Sequence, residues 1–469
     1  MSLIKMPMPE QGVNADLLSQ LRDVVGDGGV LAGDDVAGRS CDPFRQVTIE
    51  GGVILRPADT AQLSRVMALC SEFCQRVVVH GGRTGVCGGA YAGPRDLVVS
   101  LERMSQIREI STVSQLAVVE AGVTVQALQE AAADQDLFYP IDLGSKGTAT
   151  IGGTIATNAG GNRVLRWGMT RQNLLGVEVV LADGTVVSNM NRLVKNNMGY
   201  DLKQLFTGCE GTLGIVTAAV LRLVPKPVSQ NVAFVAVESH EKLLVLLNRA
   251  RRLPTLSAFE VMWPDYYNLV VNSGTGRDPI PSGSAAYVLI ETMGYSQKYD
   301  DQIFEEFLID AHEDGVVVDV VIATSGKQIE DLWRVRESAE IIVQELSPFV
   351  SFDISLEVAD IESFLHLNLK ELESRYPQTR TASFGHIGDN NIHLAVHVGP
   401  HTLREERAIE ACVFSTLRQF NGAITAEHGI GQFKKEFLPQ HKSAQEMTVM
   451  HTIRKALDPQ GLLNPDVLL

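Results

Sequence analysis

The placement of glycine constrains this chain more than any other feature. The sequence holds 41 glycines in 469 residues, only a little above the background of roughly 7%. They are concentrated in GGRTGVCGGA (81–90), DLGSKGTATIGGTIATNAGG (142–161) and TGCEGTLG (207–214), with a smaller group in HGIG (428–431). Segments this rich in glycine and small hydroxyl residues cannot pack an apolar core by themselves. They make smooth backbone surfaces against which a flat ligand can lie, because no Cβ keeps the backbone at a distance. The first cluster follows the strand-like Val77-Val78-Val79, so its N–H groups can face an anion, and Thr84 adds a hydroxyl donor. Taken alone, it reads equally well as a glycine-rich hairpin turn. No GxxxxGK[ST] occurs, which excludes a P-loop NTPase, and no strict GxGxxG follows a strand, which argues against a conventional dinucleotide fold.

Charge and cysteine narrow the class. The chain carries 40 Lys+Arg against 56 Asp+Glu, a net charge of −16. Nucleic-acid binding relies on clustered cations, so no nucleic-acid partner is expected. The six cysteines (Cys41, Cys70, Cys74, Cys87, Cys209, Cys412) form no CxxC and read as reduced thiols of a cytoplasmic protein. The N-terminal MSLIKMPMPEQG has no apolar core of a secretory signal. No window approaches 18 uninterrupted apolar residues, so no membrane span is expected. The length suits several domains.

The hydrophobic pattern divides the chain. Helical spacing predicts helices from Ala15 to Val25, Asp59 to Phe73 and Val125 to Asp134. Strands are predicted at Val53–Arg56, Arg76–His80, Leu97–Leu101 and Leu116–Ala121. VEVVLADGTVV predicts a hairpin turning at Asp183-Gly184. Pro225 and Pro227 mark an exit from this first domain, 1–226. Over 227–420, strand-like runs (Val232–Val237, Ala286–Glu291, Gly315–Ile322) alternate with helical ones (Glu241–Leu253, Gln302–Asp314, Lys327–Glu345). This predicts a second, α+β domain with a mostly antiparallel sheet. Residues 421–469 return to glycine motifs and helices, with Lys434-Lys435 expected on a solvated helix face.

Seven of the eleven histidines lie between 386 and 451. SFGHIGDNNIHLAVHV (383–398) reads as strand, turn, strand, with His393, Ala395 and His397 on one face. His386 and His393 flank the turn and can converge on a divalent cation, which needs further ligands. Glu427 in TAEHGIG is a candidate. The alternative is that these imidazoles are solvated or satisfied within a core.

GGRTGVCGGA, DLGSKGTATIGGTIATNAGG, GVEVVLADGTVV and YDLKQLFTGCEGTLGIVT together resemble the flavin-binding half of the vanillyl-alcohol-oxidase/PCMH flavoprotein superfamily. Within it the chain is most similar to FAD-dependent D-2-hydroxyacid dehydrogenases, the D-2-hydroxyglutarate and D-lactate dehydrogenases. The resemblance spans roughly 45–226 and 330–469. It implies a PCMH-type FAD-binding domain of two α/β subdomains, a substrate (cap) domain with an antiparallel sheet, and a C-terminal segment that packs back on the FAD domain.

The resemblance also implies site residues. Gly81, Gly82, Arg83, Thr84, Gly85 and Gly88 would line the FAD pyrophosphate. Asp142, Leu143, Gly144, Gly152, Gly153, Thr157, Asn158, Gly160 and Ile215 would contact the flavin and its chain, with Asn464 beside it. Some relatives attach flavin through a His that is Arg83 here, so the FAD is expected to be non-covalent, and His80 a bystander. His386, His393 and Glu427 would bind zinc or manganese, His428 would act as base, and Arg336 would grip a carboxylate. The reaction implied is oxidation of a D-2-hydroxy acid to the 2-oxo acid, with electrons passing to an acceptor such as electron-transfer flavoprotein or a quinone. A homodimer is compatible with such a chain.

Several positions depart from the pattern. Asn390 stands where the family has Gly, a substitution that a left-handed turn tolerates. The family's Thr four residues after the arginine is Glu340, its Lys fifteen residues after is Ser351, and its Asn two residues after the second metal His is Ala395. These pocket positions lose contacts to a second carboxylate and predict a monocarboxylate such as D-lactate or an apolar D-2-hydroxy acid, with D-2-hydroxyglutarate as the alternative. Two other readings compete: a flavin subunit of a multi-protein oxidase complex, inactive alone, and an NADPH-dependent flavin reductase, which would need no paired histidines.

Overall fold

A computed structural model of the chain describes residues 12–43, 45, 47–274 and 278–469. All of MSLIKMPMPEQG but its last residue lies outside these residues. The chain forms two units. The first comprises residues up to Gly161, Gly168–Pro225 and Glu427–Leu469; the second comprises Asn162–Trp167 and Lys226–Ala426.

In the first unit, valine-rich runs become buried strands. A four-stranded sheet has the order Val30–Ala32, Val53–Leu55, Leu97–Ser100, Val77–His80, and its last three strands are parallel. Parallel neighbours need a crossover. Helix Thr60–Glu72 supplies the one between Val53–Leu55 and Val77–His80. Asp59 caps that helix by accepting from Gln62 N, and Leu63, Val66, Met67 and Cys70 are buried on its inner face. A five-stranded antiparallel sheet has the order Ile107–Ser111, Leu116–Glu120, Ile215–Arg222, Leu174–Val180, Val186–Asn189. Its last two strands are the expected hairpin. Gly184 turns it with φ +87°, and Ser64 of the helix donates to the Gly184 carbonyl at 2.6 Å. Both sheets share one apolar core.

The C-terminal stretch belongs to the same unit. Val77 N donates to Leu462 O at 2.8 Å, and Asn464 N returns a bond to Val77 O at 2.9 Å. Arg454, on helix Ala444–Leu457, donates to the carbonyls of Leu463, Asn464, Val467 and Leu469. One expectation fails here. Lys434 is 7% exposed and lies outside any helix. Its charge is set against the buried Glu210 carboxylate rather than in solvent.

The second unit is built on a seven-stranded antiparallel sheet. Its order is Asp319–Ile322, Ser229–Val237, Ala286–Gly294, Leu256–Met262, Arg380–Gly385, Asn391–His397, Val350–Ser355. The α+β class with antiparallel sheets therefore holds. Three expected elements differ, the helix expected over Gln302–Asp314 beginning already at Gln297. The strand expected from Gly315 begins at Asp319. The single helix expected over Lys327–Glu345 divides into Gly326–Arg336 and Ala339–Leu346. The break has a physical cause: Tyr266 Oη donates to the carbonyls of Val335 and Arg336, and Ser338 Oγ donates to Arg334 O. Those bonds take up carbonyls that a continuous helix would spend internally.

The segment 162–167 is anchored within this unit by a buried acid. Arg163 donates to Glu291, which also accepts from Ser257 Oγ, Gln230 Nε2 and Trp333 Nε1. A wholly buried carboxylate is tolerated because each oxygen is supplied with donors.

Candidate functional site

In the first unit the glycine clusters enclose a cavity of about 330 Å³. Gly81, Gly82, Arg83, Thr84, Gly85, Leu143, Gly144, Gly152, Gly153, Thr157, Gly160, Ile215 and Asn464 all line it. Gly88, Asp142 and Asn158 do not. Gly88 (φ +75°) turns the loop against the Phe433 ring. Asp142 pairs with Lys146 at 2.9 Å. Asn158, left-handed at φ +51°, ends helix Ile151–Thr157 and accepts from Arg171 N.

The glycines do two jobs. A Cβ on Gly82 would fall 2.1 Å from Thr148 O, and one on Gly81 2.5 Å from Thr150 Oγ1. The first cluster therefore needs glycine to lie against the second. By contrast, a Cβ on Gly85, Gly89 or Gly144 would meet nothing within 4 Å. Arg83, at φ +57°, lines the cavity with Nη1 buried and unpartnered. An orphaned guanidinium N–H beside exposed backbone amides suits a phosphate-bearing ligand, so these residues fit FAD.

Sequence reasoning passed over Glu210, which also lines the cavity. Its carboxylate accepts from Ile430 N at 2.9 Å and Gly431 N at 2.8 Å, and so holds the HGIG turn. Burial raises its pKa, against those two bonds and Lys434. Gly431 (φ +55°) is obligatory, since a Cβ there would lie 1.9 Å from Cys87 O. Glu427 and His428 line the same cavity, and Glu427 Oε1 accepts from Gly161 N at 3.1 Å. Asn464 accepts from Val79 N and donates to Glu210 O, tying the C-terminal stretch to the cavity.

His80 is 2% exposed, with Nε2 2.8 Å from Ala90 O. Burial lowers its pKa to about 4, so it folds neutral. Its contribution to stability is full above the unfolded value near 6.5. It is lost as pH falls from there through about 4, at up to roughly 3 kcal/mol. The variant His80→Asn is expected to show a smaller fall in thermal unfolding temperature than the unaltered protein between pH 6.5 and 4. Parallel curves would contradict this.

In the second unit, strand Asn391–His397 returns from Arg380–Gly385 through Ile387–Asp389 and Asn390, which adopts φ +75° as its side chain allows. The His386 and His393 rings lie 5.3 Å apart, edge to face. His393 stands opposite Phe384 on one side and Asp353 on the other, with Asp353 Oδ1 3.9 Å from its Nδ1. Arg336, 6% exposed, ends helix Gly326–Arg336 and lies over the Phe384 ring at 4.8 Å. Its Nε donates to Glu260 at 2.8 Å. Burial pushes the Glu260 carboxyl up, but His386 and Arg336 outweigh it and hold it below the usual range.

The other pocket positions separate. Ser351 and Ala395 face one another in the ladder; Ser351 is exposed, and Ala395 is buried in an apolar cluster with Ile342 and Leu346. Glu340 is exposed on helix Ala339–Leu346.

Asp353 and Glu260 escaped the sequence reading. For Glu260 the available signal was an acidic residue in the middle of an unalternating apolar strand, AFEVM, where Glu is disfavoured unless paired. Asp353 lies in VSFDIS, whose strict alternation reads it as an outward polar position, so no local signal marked it. Two imidazoles and a carboxylate form a donor set that suits a borderline divalent cation. Among the described residues, no helix is long and apolar enough to cross a membrane.

Fold and cavity together define an FAD-dependent oxidoreductase with the PCMH-type fold. The chain belongs to the FAD-linked oxidases: it matches their C-terminal domain over residues 226–468 and the FAD binding domain over 51–189. Among curated proteins it is 36% identical to a probable mitochondrial D-2-hydroxyglutarate dehydrogenase of Oryza sativa subsp. japonica, over 97% of this chain and 81% of that one. A D-2-hydroxyglutarate dehydrogenase of Xanthomonas citri pv. viticola is 36% identical, covering 88% of each. A putative mitochondrial D-lactate dehydrogenase of Schizosaccharomyces pombe is 34% identical, over 88% of this chain and 80% of that one. The fold is shared with p-cresol methylhydroxylase (TM-score 0.74, 16% identity, 97% of each chain). It is also shared with 4-ethylphenol oxidase of Gulosibacter chungangensis (TM-score 0.73, 17% identity, 98% of each chain).

Proposed function

We propose that this flavoprotein oxidises a D-2-hydroxy acid to the 2-oxo acid, and that it prefers a monocarboxylate. One observation carries the preference: Arg336 is the sole buried cation among the described residues of the second unit. A guanidinium binds one carboxylate through paired N–H bonds. A second substrate carboxylate would find no buried cation there, forgoing a charge-assisted bond worth about 1.5–3 kcal/mol. The relatives named for D-2-hydroxyglutarate and for D-lactate are about equally similar to this chain, so the pocket chemistry weighs more than identity.

The roles divide as follows. Arg336 binds and orients the substrate carboxylate. His386 and His393 would hold a divalent cation, with Glu427 as the acidic ligand that the AEHGIG pattern offers. Such an ion would make the substrate hydroxyl more acidic. His428 takes the hydroxyl proton on a ring nitrogen. Bound FAD supplies the two-electron acceptor, held without a covalent bond because Arg83 occupies the position at which some relatives carry a histidine. Electrons leave to an external acceptor such as electron-transfer flavoprotein or a quinone.

The test is a panel of D- and L-2-hydroxy acids assayed by dye reduction, with and without added zinc or manganese. D-lactate and apolar D-2-hydroxy acids are expected to exceed D-2-hydroxyglutarate at least tenfold in kcat/KM, with the L-enantiomers inactive. Turnover dominated by D-2-hydroxyglutarate would overturn the preference. An isolated chain inactive with every substrate would favour a subunit of a larger oxidase.

A further inference from the structure

We propose that Glu260 is a positioning residue that sets the tautomer of His386 and the pose of Arg336. This rests on the reading above, in which His386 ligates a cation and Arg336 clamps the substrate.

Glu260 lies on strand Leu256–Met262 and is 1% exposed. It is 76 positions from Arg336 and 126 from His386, so no sequence motif joins the three. One carboxylate oxygen takes Arg336 Nε at 2.8 Å, and the other lies 2.8 Å from His386 Nδ1. A carboxylate can only accept, so Nδ1 must carry the hydrogen. On the other side of the ring, His386 Nε2 faces Arg336 Nη2 at 3.4 Å. A guanidinium can only donate, so Nε2 must present its lone pair. The acceptor at one nitrogen and the donor at the other demand the same neutral tautomer, the one whose Nε2 lone pair a divalent cation would take in place of the Arg336 N–H.

The same carboxylate fixes Arg336. With Nε tied to Glu260 and the guanidinium stacked on Phe384, the plane of the fork is set before substrate arrives. One acid thus prepares both the ligand and the clamp. Losing this outer partner is expected to weaken metal binding by about 10–100-fold.

The decisive variant is Glu260→Gln. Its amide has one accepting oxygen in place of two, and its NH2 would confront a donor. Three readouts apply to the flavin-loaded protein. Nitrogen-15 histidine spectra, with His386 assigned by its loss in His386→Gln, are expected to show Nδ1 protonated in the unaltered protein and a mixture of tautomers in Glu260→Gln. Titration with Mn²⁺, read from the free-ion electron paramagnetic resonance signal, is expected to show 10–100-fold weaker binding. KM for the hydroxy acid is expected to rise more than kcat falls. Glu260→Asp, which keeps both oxygens, is expected to recover part of each. The FAD content and unfolding temperature of each variant show whether it folds.

Unchanged tautomer, Mn²⁺ affinity and KM in a folded Glu260→Gln variant would overturn the proposal. Unaltered protein that binds no Mn²⁺, while the tautomer still changes in Glu260→Gln, would overturn the metal reading and leave the positioning role of Glu260 standing.

Discussion

His428→Asn is expected to lower kcat by about 10²–10⁴-fold, the usual loss when a positioned acid–base group is removed, while the protein stays yellow. The 2-hydroxy acid must lose its hydroxyl proton for the carbonyl to form, and His428 is the imidazole that lines the glycine-walled cavity. The turn that presents it is held by backbone bonds to two buried or half-buried acids. Ile430 N and Gly431 N bond to the Glu210 carboxylate, and Glu427 bonds to Gly161 N. With those bonds intact, replacing the ring with an amide is expected to leave the backbone and the cavity in place. The check is steady-state dye reduction with the flavin absorbance spectrum recorded on the same sample. Retention of kcat within a few-fold would remove His428 as the base. Loss of flavin together with activity would show instead that the residue holds the turn.

Arg336→Lys is expected to reduce kcat/KM by about 30–1,000-fold, equivalent to roughly 2–4 kcal/mol at 1.4 kcal/mol per tenfold, with little loss of folding stability. A lysine keeps a positive charge near Glu260, so the buried carboxylate is not abandoned, but it lacks the planar fork that grips a carboxylate with two bonds. Arg336→Met is the contrast. It leaves Glu260 buried with one partner fewer, and breaking a buried pair typically costs about 3–5 kcal/mol of stability. Kinetic loss in the lysine variant and unfolding in the methionine variant would separate the two roles of this side chain. A lysine variant with normal KM and kcat would exclude the clamp.

Much of the first unit was legible because its signals are local. The Asp183-Gly184 turn needs only a residue that accepts φ +87°. Helix Thr60–Glu72 announces itself by apolar spacing and by Asp59 at its cap. The cavity-lining glycines were visible for the same reason: close backbone approach leaves glycine little alternative. Gly88, Asp142 and Asn158 fell away from the lining because one residue in such a loop can face the ring of Phe433, a lysine or a helix end as easily as the cavity. The Lys327–Glu345 run looked like one helix since nothing in its own residues reveals that Tyr266 caps Arg336 from elsewhere in the chain.

The sequence by itself determined the periodic and the sterically forced: which runs are strands and helices, where backbone must pass close to backbone, and which histidines sit two to a hairpin. Those properties depend on neighbours within a few residues. Tertiary structure alone decided which charges are buried and what neutralises them. Lys434 reads as a surface lysine, yet it lies buried beside Glu210. Glu260 stands out in the sequence only as an acid within an apolar strand, with no hint of its partners, yet it joins Arg336 to His386 across 76 and 126 positions. Burying an ion is tolerable only when its partner arrives with it, and the partner's position in the chain is set by the packing of distant strands and helices.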